Sequence, residues 1–202
     1  MGHYTGPKGR VNRRLSLNVY ENAGAHRAFD RRESPPGMHV RRGKVSGYGA
    51  ALMEKQKIKH YYGLGERTLR RLFDMARKST GNTGEALMIL CERRLDNVLR
   101  RAGLVKTRPQ ARQGVVHGHV LLNGRKADMP GILIRPGDVI SIKNTKELGD
   151  LYSQASLESE GEQPNFLTRD GDKLMFTINS LPTRDDISLP VNISKVVELL
   201  NR

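Results

Sequence analysis

The stretch from Arg94 to Ile142 decides the fold, and it holds three informative segments: RLDNVLRRAGL (94–104), TRPQARQGVVHGHVLLNGR (107–125) and RPGDVISI (135–142). The first segment repeats apolar residues at the spacing of one helical face: Leu95, Val98, Leu99 and Ala102. In the second segment, Thr107 and Gln110 form a T-x-x-Q capping box, which predicts that a second helix begins there. Asn123-Gly124 then predicts a tight hairpin turn, and the third segment predicts a strand. We therefore expect two short helices followed by a small antiparallel sheet.

The polar residues of the same stretch lie mostly off its apolar faces, and most of them are basic. Arginine dominates, and its side chain binds a phosphate group through two hydrogen bonds at once. The start of the second helix near Thr107 adds backbone N–H groups that favour an anion. We interpret Asp96 as the partner that orients a nearby arginine rather than as a catalytic acid. The pattern predicts a surface that docks on a phosphate backbone, against the plainer alternative of a solvated charged face.

Residues 1–91 divide into two regions of different character. The first 45 residues are rich in Gly, Arg and Pro and have no sustained period, which predicts an extended basic arm with one short helix at Ala23–Arg31. Residues 46–91 place apolar residues at helical spacing, which predicts a helical domain, and one amphipathic stripe within it consists of Leu69, Leu72, Phe73 and Ala76. Thr83 is the expected N-cap of the last helix in that domain.

A second domain is predicted for residues 92–190, and it contains the two-helix and hairpin unit at 93–142. Short strands are expected after the acidic segment 147–164, and a last helix is expected at about 191–202. The fold class is therefore α+β, with a basic arm and a helical domain before a mixed domain that holds a small antiparallel sheet.

The charge of the chain is strongly uneven. Its 202 residues carry a net charge of +14, but residues 1–146 hold 30 Lys and Arg against 11 Asp and Glu, whereas residues 147–202 hold 5 against 10. A basic body with an acidic end indicates that one surface binds a polyanion and that another surface does not. The single Cys91 lies in an apolar run, so we expect a small buried side chain in a reducing, cytosolic setting. No apolar run reaches the length of a membrane span.

The three segments of the deciding stretch resemble the S-four RNA-binding domain, which several RNA-binding families share. Further motifs narrow the resemblance: Tyr4-Thr5-Gly6-Pro7-Lys8, Pro35-Pro36-Gly37 with His39, Tyr48-Gly49 before Glu54-Lys55-Gln56-Lys57, Tyr62-Gly63, Gly81-Asn82-Thr83-Gly84-Glu85 and Leu181-Pro182-Thr183-Arg184-Asp185-Asp186. In this order they cover nearly the whole chain, and they resemble the bacterial small-subunit ribosomal protein S-four family. The resemblance implies that the last helix returns to the first domain.

The resemblance also implies a function. Members of this family are structural constituents of the small ribosomal subunit in the cytoplasm and bind its ribosomal RNA at a multi-helix junction, where they nucleate assembly of the body. They contribute to translational accuracy together with ribosomal protein S-five, and messenger RNA near its entry path is a further implied partner. The resemblance implies these RNA-binding residues: Lys8, Arg10, Arg13, Arg14, Lys55, Lys57, Lys59, Arg94, Asn97, Arg108, Arg112, His119 and Asn123. The basic face of the deciding stretch adds Arg93 and Arg125 to the predicted RNA-binding set.

No cofactor and no metal ion are expected. Some members of the family hold zinc through cysteines in the arm, beginning with a Cys-x-x-Cys after the Pro-Lys. Gly9 and Asn12 stand at those two places here, so this thiolate site is absent. The histidines of the arm lack the spacing of a metal site: His3, His26 and His39.

The chain is not expected to be an enzyme. The enzymes that use an S-four domain, such as RNA pseudouridine synthases and tyrosyl-tRNA synthetases, need a separate catalytic domain. The chain has no phosphate-binding GxxxxGKT loop and no convincing pair of nucleophile and base. Two alternatives stay open: a non-ribosomal or regulatory RNA-binding protein with the same domain, and a DNA-binding helix-turn-helix factor. The strand-rich second half of the domain and the arginine-rich arm argue against the DNA-binding factor.

Overall fold

A computed structural model describes residues 4–32, 34–38, 44–143, 145–157, 164–170 and 174–201. His3, His39 and the end of the predicted last helix, Arg202, lie outside these residues. The helices are α1 (Lys8–Leu15), α2 (Ala23–Arg31), α3 (Gly47–Tyr61), α4 (Glu66–Arg77), α5 (Thr83–Glu92), α6 (Leu95–Arg101), α7 (Arg108–Val116), α8 (Lys146–Leu157) and α9 (Ile193–Asn201). The strands are β1 (Val120–Leu122), β2 (Arg125–Ala127), β3 (Val139–Ile142), β4 (Leu167–Arg169) and β5 (Met175–Ile178). The predicted α+β class is confirmed.

The chain forms two compact units. The first unit comprises Met1–Leu87 together with Ser188–Arg202, and the second unit comprises Met88–Ile187. Among the described residues, none of the helices combines the length and the apolar character that a membrane span needs.

The first unit is helical. The apolar stripe predicted for α4 is buried in full, because these four residues recur on one face of the helix: Leu69, Leu72, Phe73 and Ala76. Helix α9 packs against α3. The backbone N–H of Asn192 donates to Glu54 Oε2 at 2.9 Å, and Tyr61 Oη lies 2.7 Å from Ser188 Oγ. Residues that are far apart in sequence therefore build this unit together.

The N-terminal arm is more regular than the sequence predicts. Helix α2 confirms the predicted helix at Ala23–Arg31, but the prediction of extended chain is wrong for α1. Helix α1 packs against α2 and buries Val11 and Leu15. Burial of apolar surface between two short helices stabilises them where each alone would be marginal.

The cap of α5 also differs from the prediction. Asn82 caps this helix, because its Oδ1 accepts hydrogen bonds from the backbone N–H groups of Gly84 at 2.9 Å and Glu85 at 3.3 Å. Thr83 is the first residue of the helix rather than its N-cap. Asparagine is among the residues most often found at the N-cap, because its side-chain oxygen accepts from the free backbone N–H groups of the first turn.

The second unit holds a five-stranded sheet in the order β2-β1-β3-β5-β4, with all neighbours antiparallel. The predicted hairpin is confirmed: β1 pairs with β2, and the turn residues Asn123 and Gly124 have φ values of 51° and 75°. One apolar cluster joins α6 and α7 to the inner side of the sheet, and it includes Val98, Val115 and Phe176. The predicted two-helix and hairpin unit therefore shares a core with the later strands.

Cys91 is fully buried, as predicted from its apolar run. Desolvation by the surrounding core raises the pKa of its thiol far above the ordinary value. The thiol is therefore uncharged and behaves as a small apolar side chain.

Candidate nucleic-acid interface

The start of α7 is fixed by the predicted capping box. Thr107 Oγ1 accepts a hydrogen bond from the backbone N–H of Gln110 at 3.4 Å. In return, Gln110 Oε1 accepts from the backbone N–H of Lys106 at 3.2 Å, one residue earlier than the usual partner. The box sets where α7 begins and thereby the positions of Arg108 and Arg112, which are one helical turn apart.

Arg108 belongs to a chain of buried polar contacts. Its Nε donates to Asn97 Oδ1 at 2.8 Å, and Asn97 Nδ2 in turn donates to the backbone oxygen of Glu92 at 3.2 Å and to the Glu92 carboxylate. Arg101 Nε lies 3.8 Å from Glu92 Oε2. These contacts tie the end of α5 to α6 and α7, so they fix how the two short helices cross.

Arg94 and Asp96 form a second buried group. Arg94 donates two parallel hydrogen bonds to the Asp96 carboxylate, from Nε at 3.1 Å and from Nη2 at 2.7 Å. Arg112 Nη1 lies 3.7 Å from the same carboxylate. Burial raises the pKa of Asp96, and the two guanidinium groups oppose this rise. The prediction that Asp96 orients a nearby arginine is confirmed.

The predicted exposed basic surface is wrong for three of its members. The exposed fraction is 3% for Arg94, 2% for Asn97 and 8% for Arg108, because each has a partner within the chain. Arg93 is half-buried and donates to the backbone oxygen of Ile134 from both Nε and Nη2. The structure thus gives these residues a supporting position, and their contact with RNA stays a prediction.

The hairpin and its neighbours supply the accessible polar residues of the second unit. Arg125 and Lys126 are exposed on β2. Asn123 fastens the hairpin turn to the next turn, since its Nδ2 donates to Asp138 Oδ1 at 2.9 Å and its Oδ1 accepts from the backbone N–H of Val139 at 2.8 Å. The hairpin therefore presents its two cations from a fixed turn.

His119 lies in a small aromatic group beside the hairpin. Its Nδ1 is 3.2 Å from Tyr152 Oη, and its ring meets those of Tyr152 and His117 edge to face. Burial, and then the neighbouring His117, lower the pKa of His119. His119 therefore favours the neutral imidazole at neutral pH, and its contact with RNA stays a prediction.

Comparison with known proteins identifies the family. A model described as "Ribosomal protein S4/S9 N-terminal domain" matches residues 3–92, and a model described as "S4 domain" matches residues 93–140. A protein of Rhodopirellula baltica named "Small ribosomal subunit protein uS4" is 55% identical over 202 residues, which is 100% of both chains. The chain belongs to the uS4 family. The uS4 proteins of Persephonella marina (42% identical, 98% of each chain) and Geobacillus thermodenitrificans (39%, 100% of each chain) are also similar.

The arm of this uS4 family member has two exposed arginines among the predicted contact residues, Arg10 and Arg14. Arg13 is held within the chain, because its Nε donates to the backbone oxygen of Ser34 at 2.9 Å and its Nη2 to that of Pro35 at 3.3 Å. Lys8 Nζ lies 5.7 Å from the centre of the Tyr20 ring. These contacts hold the start of α1 against the rest of the arm.

Tyr20 fastens this arm to α3. Its hydroxyl lies 3.0 Å from His60 Nδ1, and the ring of Tyr4 packs against both. Burial, and then Tyr4, raise the pKa of Tyr20 to about 12. Burial lowers the pKa of His60, and the nearby Lys59 and Arg14 lower it further, so the imidazole beside the Tyr20 hydroxyl favours its neutral form.

The lysines predicted on α3 are paired within the chain. Lys55 Nζ lies 2.7 Å and Lys59 Nζ 3.5 Å from the carboxylate of Glu66, and Lys57 Nζ lies 2.6 Å from Glu54. The hydrogen bond from Lys55 is the main reason that the pKa of Glu66 is lowered. These pairs offset part of the charge that the sequence suggests for this helix, and contact of its lysines with RNA stays a prediction.

Gly9 and Asn12, which stand at the zinc positions of some family members, have structural roles here. The side chain of Asn12 is buried, its Nδ2 donates to Asn18 Oδ1 and to the backbone oxygen of Tyr20, and its Oδ1 accepts from the backbone N–H of Tyr20. At Gly9, a Cβ atom would lie 2.8 Å from Ala28 Cβ. Over the described ranges of the chain, no group of three or more His, Cys, Asp and Glu side chains is placed to hold a metal ion.

One group of exposed basic residues lies outside the predicted set. Helix α4 exposes five of them: Arg67, Arg70, Arg71, Arg77 and Lys78 at its C-cap. Their spacing of three, four and seven residues, opposite the apolar stripe of α4, was the available signal.

Proposed function

We propose that this chain is a primary binder of small-subunit ribosomal RNA, which docks on a multi-helix junction and nucleates assembly of the body of the subunit. As a uS4 family member, the chain is a structural rather than catalytic component of the ribosome in the cytoplasm. The observation that carries the finer proposal is the likeness to uS4 proteins over the whole chain, at up to 55% identity among the relatives named above.

The geometry of the second unit supports this proposal. Buried polar side chains hold the two short helices α6 and α7 in place. The hairpin cations extend from a turn that Asn123 fastens. A rigid surface of this kind suits recognition of folded RNA, because such recognition depends on shape and on phosphate contacts. Arginine and lysine side chains supply the phosphate contacts.

The proposal includes two further partners. We infer contact with ribosomal protein S-five, through which the chain contributes to translational accuracy, and proximity to messenger RNA at its entry path. Family membership supports both. The acidic end of the chain, with 10 Asp and Glu against 5 Lys and Arg over residues 147–202, also suits a basic protein neighbour.

The hairpin cations allow a direct test of RNA binding. We expect the double variant Arg125→Gln/Lys126→Gln to bind small-subunit ribosomal RNA about tenfold more weakly at low salt, because two phosphate contacts are lost. The plot of log affinity against log salt should become less steep by about 0.7 to 0.9 per lost contact. Both side chains are exposed, so the thermal unfolding temperature should not change.

The matched control is Arg135→Gln/Lys146→Gln, which removes two exposed cations from the same unit outside the predicted surface. Equal affinity for all three proteins would contradict the assignment of the hairpin. Two other outcomes would favour the alternatives. A chain that stays in the free pool when a lysate is sedimented would favour a regulatory RNA-binding protein, and duplex DNA that competes equally with junction RNA at matched salt would favour a DNA-binding factor.

A further inference from the structure

The exposed face of α4 is a continuous stripe of cations. At 100° per residue, the five side chains lie within about 120° of arc, and from the first to the last they span about 16 Å along the helix. The opposite side of α4 is the buried stripe in the core of the first unit. We call this set the α4 cations, and its members are Arg67, Arg70, Arg71, Arg77 and Lys78.

Acidic residues offset only part of the charge of the α4 cations. In the part of the chain that the structure describes, none of the five side chains forms a salt bridge or a hydrogen bond. Asp74 is the one acid on this face of α4, and it is exposed and forms no ion pair with the described residues. Glu66, at the start of the helix, is already bound to Lys55 and Lys59. Five cations against one carboxylate leave the stripe with a net positive charge.

Some of these cations are placed unfavourably for the helix itself. The N-terminal end of a helix carries partial positive charge, so Arg67 in the first turn opposes the helix dipole. Arg77 and Lys78 at the C-terminal end suit the dipole. Arg67 also repels Arg70 and Arg71, which are three and four residues away, and Asp74 offsets only part of this repulsion. A polyanion bound along the stripe would reverse the sign of these interactions.

We propose that the α4 cations are a second docking surface, in the first unit, for the phosphate backbone of RNA. This inference rests on the proposed function and adds a site outside the predicted contact residues. Within α4, which the structure describes in full, the only aromatic residue is Phe73, and it is buried. The stripe therefore has no ring on which a base would stack, and its arginines bind phosphate oxygens without regard to base sequence.

The test compares two full-length variants with the parent protein. Arg67→Gln/Arg70→Gln/Arg71→Gln removes three α4 cations, and Arg27→Gln/Arg31→Gln/Arg32→Gln removes three exposed arginines at α2 in the same unit. Affinity for small-subunit ribosomal RNA is measured over a range of salt concentrations. We expect the α4 variant to bind about 10- to 100-fold more weakly at low salt, with a log–log salt slope less steep by about 2 to 3. The α2 variant should lose less than about threefold.

Three other results would overturn the α4 assignment or the proposed function. If the α4 and α2 variants bind RNA equally well, the α4 surface is not an RNA site, although the proposed function stands as long as the parent protein binds. If the parent protein itself fails to bind the RNA, both proposals fall. If the α4 variant keeps full affinity for free RNA but no longer joins assembled subunits, the stripe binds an acidic protein, and the RNA assignment is overturned. Circular dichroism should show the same helix content in all three proteins.

Discussion

The charged side chain of Arg94 is buried in the interior of the second unit, and the carboxylate of Asp96 balances its charge. The carboxylate receives two hydrogen bonds from the guanidinium group, and a glycine at 131 leaves room beside it, since a Cβ atom there would lie 3.3 Å from Arg94 Nη1. A buried pair of this kind contributes little net stability when complete, but the loss of one partner leaves an uncompensated charge.

The first prediction concerns this pair. Asp96→Asn keeps the size of the side chain but removes the charge that balances Arg94. We expect the free energy of unfolding to fall by about 3 to 5 kcal/mol. Chemical denaturation followed by circular dichroism measures this change.

The control is Asp150→Asn, which removes an acid from the exposed side of α8. Its free energy of unfolding should stay within about 0.5 kcal/mol of the parent value. If Asp96→Asn were equally mild, then the carboxylate would not be needed to hold Arg94 in the interior, and the supporting role given to this pair would be wrong.

The burial of Arg94 and its neighbours cannot be predicted from the sequence. The sequence predicts an accessible position for Arg94, Asn97 and Arg108 because the polar residues of this stretch lie mostly off its apolar faces. Their burial depends on partners that fold alongside them, namely Asp96 and Glu92. The sequence does suggest the pairing of Asp96 with an arginine, since the two are close along the chain. It does not show that Glu92 turns inward, because that depends on how α5 meets α6.

At the scale of elements, helices α1 and α2 approach each other closely at one point. Gly9 faces Ala28, and an ordinary side chain at position 9 would not fit without a shift. Asn12 then bonds to both backbone groups of Tyr20, which fixes the chain that leaves α1. A glycine and a buried amide thus order a segment that contains few apolar residues.

The second prediction tests this close approach. Gly9→Ala should lower the free energy of unfolding by about 1 to 3 kcal/mol, because the added methyl group forces α1 and α2 apart. Gly24→Ala in α2 is the matched control, since the nearest atom to its added Cβ is 3.8 Å away. There the better helix propensity of alanine should raise stability by about 0.5 to 1 kcal/mol. Thermal unfolding of both variants would separate the two effects, and destabilisation by Gly24→Ala would refute this account.

Whether an element is predictable depends on the source of its stability. The sequence predicts the α4, α6 and α7 helices and the β1–β2 hairpin because their apolar spacing, capping box and Asn-Gly turn are local signals. It does not predict α1, because that helix is stabilised by packing against α2, which the spacing of two apolar residues does not reveal. The exposed stripe of α4 is visible in the sequence, but the binding of Glu66 to two lysines of α3 is not.

At the scale of the whole molecule, the first unit joins two ends of the described chain. Gly84, near the start of α5, lies against α9, and a Cβ atom there would overlap the side chain of Ile193 and come within 3.3 Å of Val197. Helix α9 also packs on α3. The second unit is one continuous piece of sequence, Met88–Ile187.

The third prediction uses this arrangement. Gly84→Ala should displace α9 and raise the rate of amide hydrogen exchange in α9 and α3, whereas exchange in the five strands should stay the same. Gly47→Ala is the control, because no atom lies within 4 Å of its added Cβ. Hydrogen exchange read by mass spectrometry would resolve the two regions. Faster exchange in the sheet would show that the two units do not respond separately.

The packing of α9 on α3 has a consequence for the nascent chain. A translating ribosome reaches residue 193 about 130 positions after it has completed α3, which at about 5 to 20 residues per second is a delay of roughly 7 to 26 s. During that interval, one side of α3 emerges without its cover. The five-stranded sheet can close once β5 has been made, shortly before α9 follows. The beginning of the chain therefore cannot complete its own unit until the last strand of the other unit has already been synthesised.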